Sequence, residues 1–222
     1  MSAPFTARLL VSSGALVERT SLPPGCRIVP REGQLDEASR AHAIGGAWYW
    51  PGARDAIATH TSHVELSLAA EVGTPIERAL AMTRAVAALA GAPNVVAVIW
   101  DATGLAHEPA QWIAQTEDAT EDDLPLFLWI AFEGTEDAET GSRSLRTRGM
   151  DGFGALEVEV AQSKRDGEEV LEIVCDVVLV VLTSPVPLED GDQVEVTHGK
   201  VRVRLEPSLR NDGTRAYRLR LP

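Results

Sequence analysis

Lysine and arginine are missing from the whole stretch between Arg84 and Arg143, which nonetheless holds eleven carboxylates: Asp101, Glu108, Glu117, Asp118, Glu121, Asp122, Asp123, Glu133, Glu136, Asp137 and Glu139. The flanks are close to balanced. Residues 1–84 carry eight basic and eight acidic side chains and residues 143–222 carry twelve and fourteen, so nearly all of the net charge of −13 originates in one segment. Without positive charge that segment is excluded as a phosphate-binding surface, because nucleic-acid affinity comes largely from Lys and Arg. No nucleic-acid partner is therefore expected. A field of one sign selects partners; it does not select a fold.

Other absences narrow the class further. There are two cysteines, Cys26 and Cys175, far apart and at no metal-binding spacing. Cys175 lies in an apolar run and reads as a small buried hydrophobe, which points to a reduced, cytoplasmic compartment. The longest apolar run, Val177–Leu182, is far too short for a bilayer span. Arg8 and Glu18 interrupt Met1–Thr20, so neither a signal peptide nor a membrane partner is expected.

No nucleophile elbow, phosphate-binding loop or dinucleotide fingerprint occurs. The five histidines, at 42, 60, 63, 107 and 198, are scattered. His60 and His63 lack further ligands at metal spacing, and His107-Glu108 lacks the downstream Cys-x-x-Cys of zinc deaminases. The acidic runs do not alternate as calcium loops do. Asp101, following the run Asn94–Trp100, stands where α/β folds place ligands, but it also begins an ordinary turn, Asp101-Ala102-Thr103-Gly104. The expectation is no catalytic residue, no cofactor, no metal, and hence no enzyme.

What is present is a globular pattern. At 45% apolar and 24% charged, 222 residues suffice for a core. Strands are expected at Phe5–Val11, His63–Ala70, Asn94–Trp100, Leu124–Phe132, Ala155–Ala161, Gln193–Thr197, Lys200–Glu206 and Ala216–Leu221, and a loop over Ser21–Gly33. Thr74-Pro75-Ile76-Glu77 is a capping box with proline at the first helical position, opening a helix to Ala90 with Gly91 as its stop. Further helices fit Glu108–Thr116 and Asp166–Leu182. The resulting fold class is α/β (α+β): a mixed, largely antiparallel sheet with a βαβ unit, two or three helices and a C-terminal β-hairpin. One domain over 1–222 is expected, with sub-lobes dividing near residue 140 (1–140 and 141–222).

Three segments together resemble a bacterial domain family of unknown function, the one numbered 4261. They are Ala47-Trp48-Tyr49-Trp50-Pro51 leading into the strand after His63; Pro75–Ala90 running into Val95–Trp100 and Gly104-Leu105; and Thr147-Arg148-Gly149-Met150-Asp151-Gly152-Phe153-Gly154 with Leu156-Glu157-Val158 and the later Asp190-Gly191-Asp192. The resemblance spans roughly residues 40–200, and Gly-Met-x-x-Phe-Gly is its most specific string. Some members are similar to proteins encoded beside bacterial toxin genes, where the small acidic partner acts as an immunity protein. The resemblance implies such a role by analogy and supplies no catalytic residue set.

Charge and resemblance converge on one expectation: a cytoplasmic, non-catalytic immunity (antitoxin) protein that binds a cognate basic toxin, with a nuclease as the class that fits. Its partner-binding residues would be Glu117, Asp118, Glu121, Asp122 and Asp123 in one loop and Glu133, Glu136, Asp137 and Glu139 in another, with Trp112 as an exposed aromatic anchor. The alternative is an adaptor or regulatory binding domain with no toxin partner.

Overall fold

A computed structural model describes residues 4–14, 22–69 and 73–221, and the chain divides into two compact units, Met1–Trp129 and Ile130–Pro222. Ser21 and Ala70, termini of the expected loop and strand, lie outside the described residues, as do parts of Met1–Thr20.

The first unit is a five-stranded sheet in the order β2-β3-β1-β4-β5, with β1 Phe5–Val11, β2 Cys26–Glu32, β3 Ser62–Leu68, β4 Val95–Trp100 and β5 Leu105–His107. Every neighbouring pair is antiparallel. Because β1 runs antiparallel to both β3 and β4, those two are parallel to each other with β1 between them. The expected βαβ unit is thus present but split. Helix α3, Pro75–Ala90, makes the crossover and begins at the capping box: Glu77 N–H donates to Thr74 Oγ1 at 3.2 Å and Thr74 N–H to Glu77 Oε2 at 2.6 Å.

Two helices unseen in the sequence, α1 Glu37–Gly46 and α2 Ala53–Ala58, cover one face of this sheet. Ala43, Ala47, Ala53 and Ile57 pack there with Leu10, Ala97, Ile99 and Ala106. The other face carries α3, on which α4 Pro109–Glu117 packs in turn. This is why α3 is buried on more than one side, with Leu80, Met82, Thr83, Val86 and Leu89 all enclosed.

Two expectations fail in this unit. Cys26–Glu32, expected as loop, is edge strand β2, where proline is tolerated because one side of an edge strand needs no ladder partner. Leu124–Phe132, expected as one strand, is a turn of helix, α5 Leu126–Trp129, followed by β6 Ala131–Glu136. Short apolar runs do not distinguish strand from buried helix. Here Trp129 settles it, since its indole N–H reaches Thr83 Oγ1 on α3 at 2.8 Å.

The second unit is a six-stranded sheet in the order β6-β7-β8-β11-β10-β9, where β7 is Arg143–Arg148, β8 Val158–Ser163, β9 Gln193–Val196, β10 Gly199–Pro207 and β11 Arg215–Arg220. All its pairs are antiparallel except β8 with β11. The expected C-terminal hairpin is β10–β11, whose loop uses Asn211 and Gly213 at positive φ. Helix α6, Gly167–Thr183, forms despite its valines because Asp166 caps it and Val170, Ile173, Val174, Val177 and Val178 recur at helical spacing on its buried side. No helix among the described residues is long and apolar enough to cross a membrane.

Candidate functional site

The acidic loop 117–123 is built at the C-terminal end of α4. Glu117 is the last helical residue and Asp118 its cap, with no basic side chain in the final turn. Carboxylates at that end face the negative pole of the helix dipole, which disfavours them. A tight turn follows: Thr120 N–H donates to the Asp123 carbonyl and Asp123 N–H to Thr120 Oγ1, both at 3.0 Å, leaving Glu121 and Asp122 at the tip. The loop is moored by Ala119, which is buried and whose carbonyl accepts from Arg84 Nη2 at 3.1 Å. Glu117, Asp118, Glu121, Asp122 and Asp123 are all exposed. Among the described residues no basic side chain forms an ion pair with any of them.

The second acidic run, expected as a loop of free carboxylates, is different. Glu133 stands within β6 and accepts from Arg146 Nε at 2.7 Å and Arg148 Nε at 2.8 Å. Burial raises its pKa, but these guanidinium groups outweigh that and hold it low. Glu136 pairs with Arg143 at 3.3 Å. Asp137 closes a turn by accepting from Glu139 N and Thr140 N, which lowers its pKa as well. Of these four, Asp137 and Glu139 stay exposed without an ion pair among the described residues, and of those two Asp137 is tied into its own turn. Cross-strand registry made the difference: β6 lies against β7, and β7 carries three arginines.

Trp112 is not an exposed anchor. It is 0% exposed, its indole N–H donates to the Thr83 carbonyl at 3.1 Å, and its ring packs against Trp100 and His107. A nine-residue helix has too few turns for sequence periodicity to tell its inner face from its outer one. The aromatics left exposed in the first unit are Trp48, at 75%, and Phe127, at 47%. Trp48 follows α1, and with that helix unrecognised nothing in the sequence marked the residue as protruding.

The remaining titratable candidates are structural. Asp101 Oδ1 is 2.5 Å from Arg8 Nε, a partly buried ion pair between β1 and the turn that follows β4. His60 is fully buried; Nε2 accepts from Leu35 N–H at 2.9 Å, so Nδ1 carries the proton and donates to the Ile57 carbonyl. His107 Nδ1 is 2.5 Å from the Tyr49 hydroxyl, which also reaches the Ala106 carbonyl at 3.0 Å. Burial pushes the Tyr49 pKa up and that of His107 down to about 3, so both are neutral near pH 7. Among the described residues no group of three or more His, Cys, Asp or Glu side chains could hold a metal ion.

In the second unit the Gly-Met-x-x-Phe-Gly string is structural too. Gly149 and Gly154 bracket a single 3₁₀ turn at φ 113° and 76°, with Met150 and Phe153 buried between them. Glu157 clamps the turn, accepting from Gly149 N at 2.9 Å, Met150 N at 3.2 Å and Thr147 Oγ1 at 2.6 Å.

Residues 146–220 match the model of a family described as a domain of unknown function, DUF4261. The match takes in the clamped turn, α6 and the C-terminal hairpin. The other two segments of the resemblance, around Trp48 and along α3 into β4, lie outside it, as does the acidic loop 117–123. No curated protein and no solved structure matches the chain.

Proposed function

We propose that this chain is a non-catalytic immunity protein that binds and neutralises a basic cognate protein toxin, a nuclease being the class that fits, through the loop Glu117–Asp123. One contrast carries the reading. Several carboxylates elsewhere are matched by the chain's own guanidinium groups, Glu133 by Arg146 and Arg148, Glu136 by Arg143, Asp190 by Arg204 and Glu206 by Arg220, and the other exposed acids stand in no run as dense as 117–123. In 117–123 five acids are displayed outward, at the unfavourable end of a helix, with no such match among the described residues. Local arrangements that cost stability without compensation are expected where function requires them. A basic partner supplies the missing charge and is steered toward it, and such steering raises association rates by about 10–10³-fold at low salt.

The test uses the purified product of the adjacent reading frame and surface plasmon resonance at about 50 and 300 mM salt, a rise that shortens the screening length about 2.4-fold. The variant carrying Glu117→Gln, Asp118→Asn, Glu121→Gln, Asp122→Asn and Asp123→Asn should associate at least about tenfold more slowly at the lower salt, and the difference should shrink at the higher. Association that is equally fast in the variant at both salts removes the proposal.

A further inference from the structure

The geometry points to Trp48 as the apolar anchor of the same interface, at the opposite end of α4 from the acidic loop; this rests on the binding role proposed for Glu117–Asp123. The indole is 75% exposed and is braced from one side. Its ring meets Tyr49 edge-on at 5.7 Å. Tyr49 in turn is fixed by its hydroxyl to the Ala106 carbonyl and to His107, and its ring lies 5.9 Å from the imidazole. His107 is itself buried against Trp112 on α4. Trp48 therefore stands on a pedestal of hydrogen-bonded rings, Tyr49 partly buried and His107 buried, and loses little freedom when a partner covers it, which favours tight binding.

The placement along α4 joins the anchor to the charge. His107 and Glu108 lead directly into Pro109, so the Trp48 pedestal marks the start of the helix, and Glu117 ends it roughly 14 Å further on. Between them α4 exposes Ala110 and Ala114, side chains too small to hold a partner off. The occupant that fits is a folded protein with a basic surface and an apolar socket beside it: charge sets how fast it arrives, and the indole sets how long it stays. Hot spots of this kind are enriched in tryptophan and sit beside less energetic polar contacts.

The experiment separates the two contributions with the same purified product of the adjacent reading frame. Trp48→Ala should raise the dissociation rate about thirtyfold and leave the association rate unchanged, while Trp48→Phe should keep most of the residence time. The five-fold amide variant should do the reverse. Circular dichroism and the unfolding midpoint of Trp48→Ala should match wild type, since so exposed a ring contributes little to packing. If Trp48→Ala leaves dissociation unchanged, or alters only association, the anchor assignment is overturned while the acidic-loop reading stands. If the wild-type chain does not bind this protein, both fall together.

Discussion

The guanidinium of Arg218 lies 2.8 Å from the carboxylate of Glu159, and the two side chains are 8% and 1% exposed. They face each other across the parallel strands β8 and β11. Glu159 also accepts from Ser208 Oγ and Leu209 N, so one carboxylate both neutralises the arginine and pins the hairpin loop after β10. Breaking such a pair leaves a buried charge whose remaining carboxylate, Glu206, is 3.8 Å away and only partly compensates it. Glu159→Gln should therefore cost about 3–5 kcal/mol in urea unfolding, and Glu159→Met combined with Arg218→Met should recover part of the loss. A Glu159→Gln loss under about 1 kcal/mol would mean that water reaches Arg218 after all.

His107 should make the protein acid-sensitive above the carboxylate range. Its folded pKa, about 3, is set first by burial, with a contact from the Leu128 carbonyl opposing, and it lies below the unfolded value of about 6.5. Between those values the unfolded chain binds the extra proton, so stability falls as pH falls, by up to about 1.4 kcal/mol per pH unit. Burial lowers the His63 pKa too, which adds in the same direction. Unfolding at pH 7, 6 and 5 should show a shallower slope for His107→Phe than for wild type. Equal slopes would place the His107 ring in water.

Removing the Tyr49 hydroxyl takes a donor from the Ala106 carbonyl and a partner from His107 Nδ1. Tyr49→Phe should lower stability by about 1–3 kcal/mol, the usual cost of leaving buried polar groups unsatisfied. It should also speed amide exchange in the loop that bears Trp48, as measured by hydrogen–deuterium exchange. Unaltered exchange there would show that the pedestal does not hold the loop.

Gly149 at φ 113° occupies backbone space that a β-carbon disfavours, at the head of the turn clamped by Glu157. Gly149→Ala should cost about 1–3 kcal/mol. Gly134→Ala serves as the control, because a β-carbon there meets nothing within 4 Å and the strand backbone is ordinary. Equal thermal midpoints for the two variants would contradict this account.

Neutralising the end of α4 should stabilise the fold even as it weakens binding. With Glu117→Gln and Asp118→Asn the helix no longer ends in two carboxylates at its negative pole. The unfolding midpoint should rise at low salt, with the gain shrinking as salt is added. A fall in midpoint would indicate that these acids are held by favourable contacts.

Legibility followed the range of the interactions. The capping box at Thr74, the Asp166 cap of α6 and the Asn211–Gly213 loop were readable because the groups that decide each lie within a few residues. Strand β2 was not, because its partners on β3 are 30 to 42 positions away and Pro30, flanked by Pro23, Pro24, Gly25 and Gly33, resembles a loop. Nor was the short helix before β6, whose handle is a hydrogen bond to Thr83 on another helix. At the site, the sequence located the acids but not their states: Glu133 and Glu117 look alike in the chain, and only the registry of β6 with β7 separates them.

By itself the sequence determined where α3, α4 and α6 start and stop, and that the negative charge gathers between Arg84 and Arg143, since these depend on neighbours along the chain. Tertiary structure alone decided that Trp112 is core and Trp48 bare, that β1 sits between the strands of the crossover, and which carboxylates meet a guanidinium. Those outcomes depend on which distant segments come into contact, and burial and ion pairing act through space wherever the fold brings the groups together.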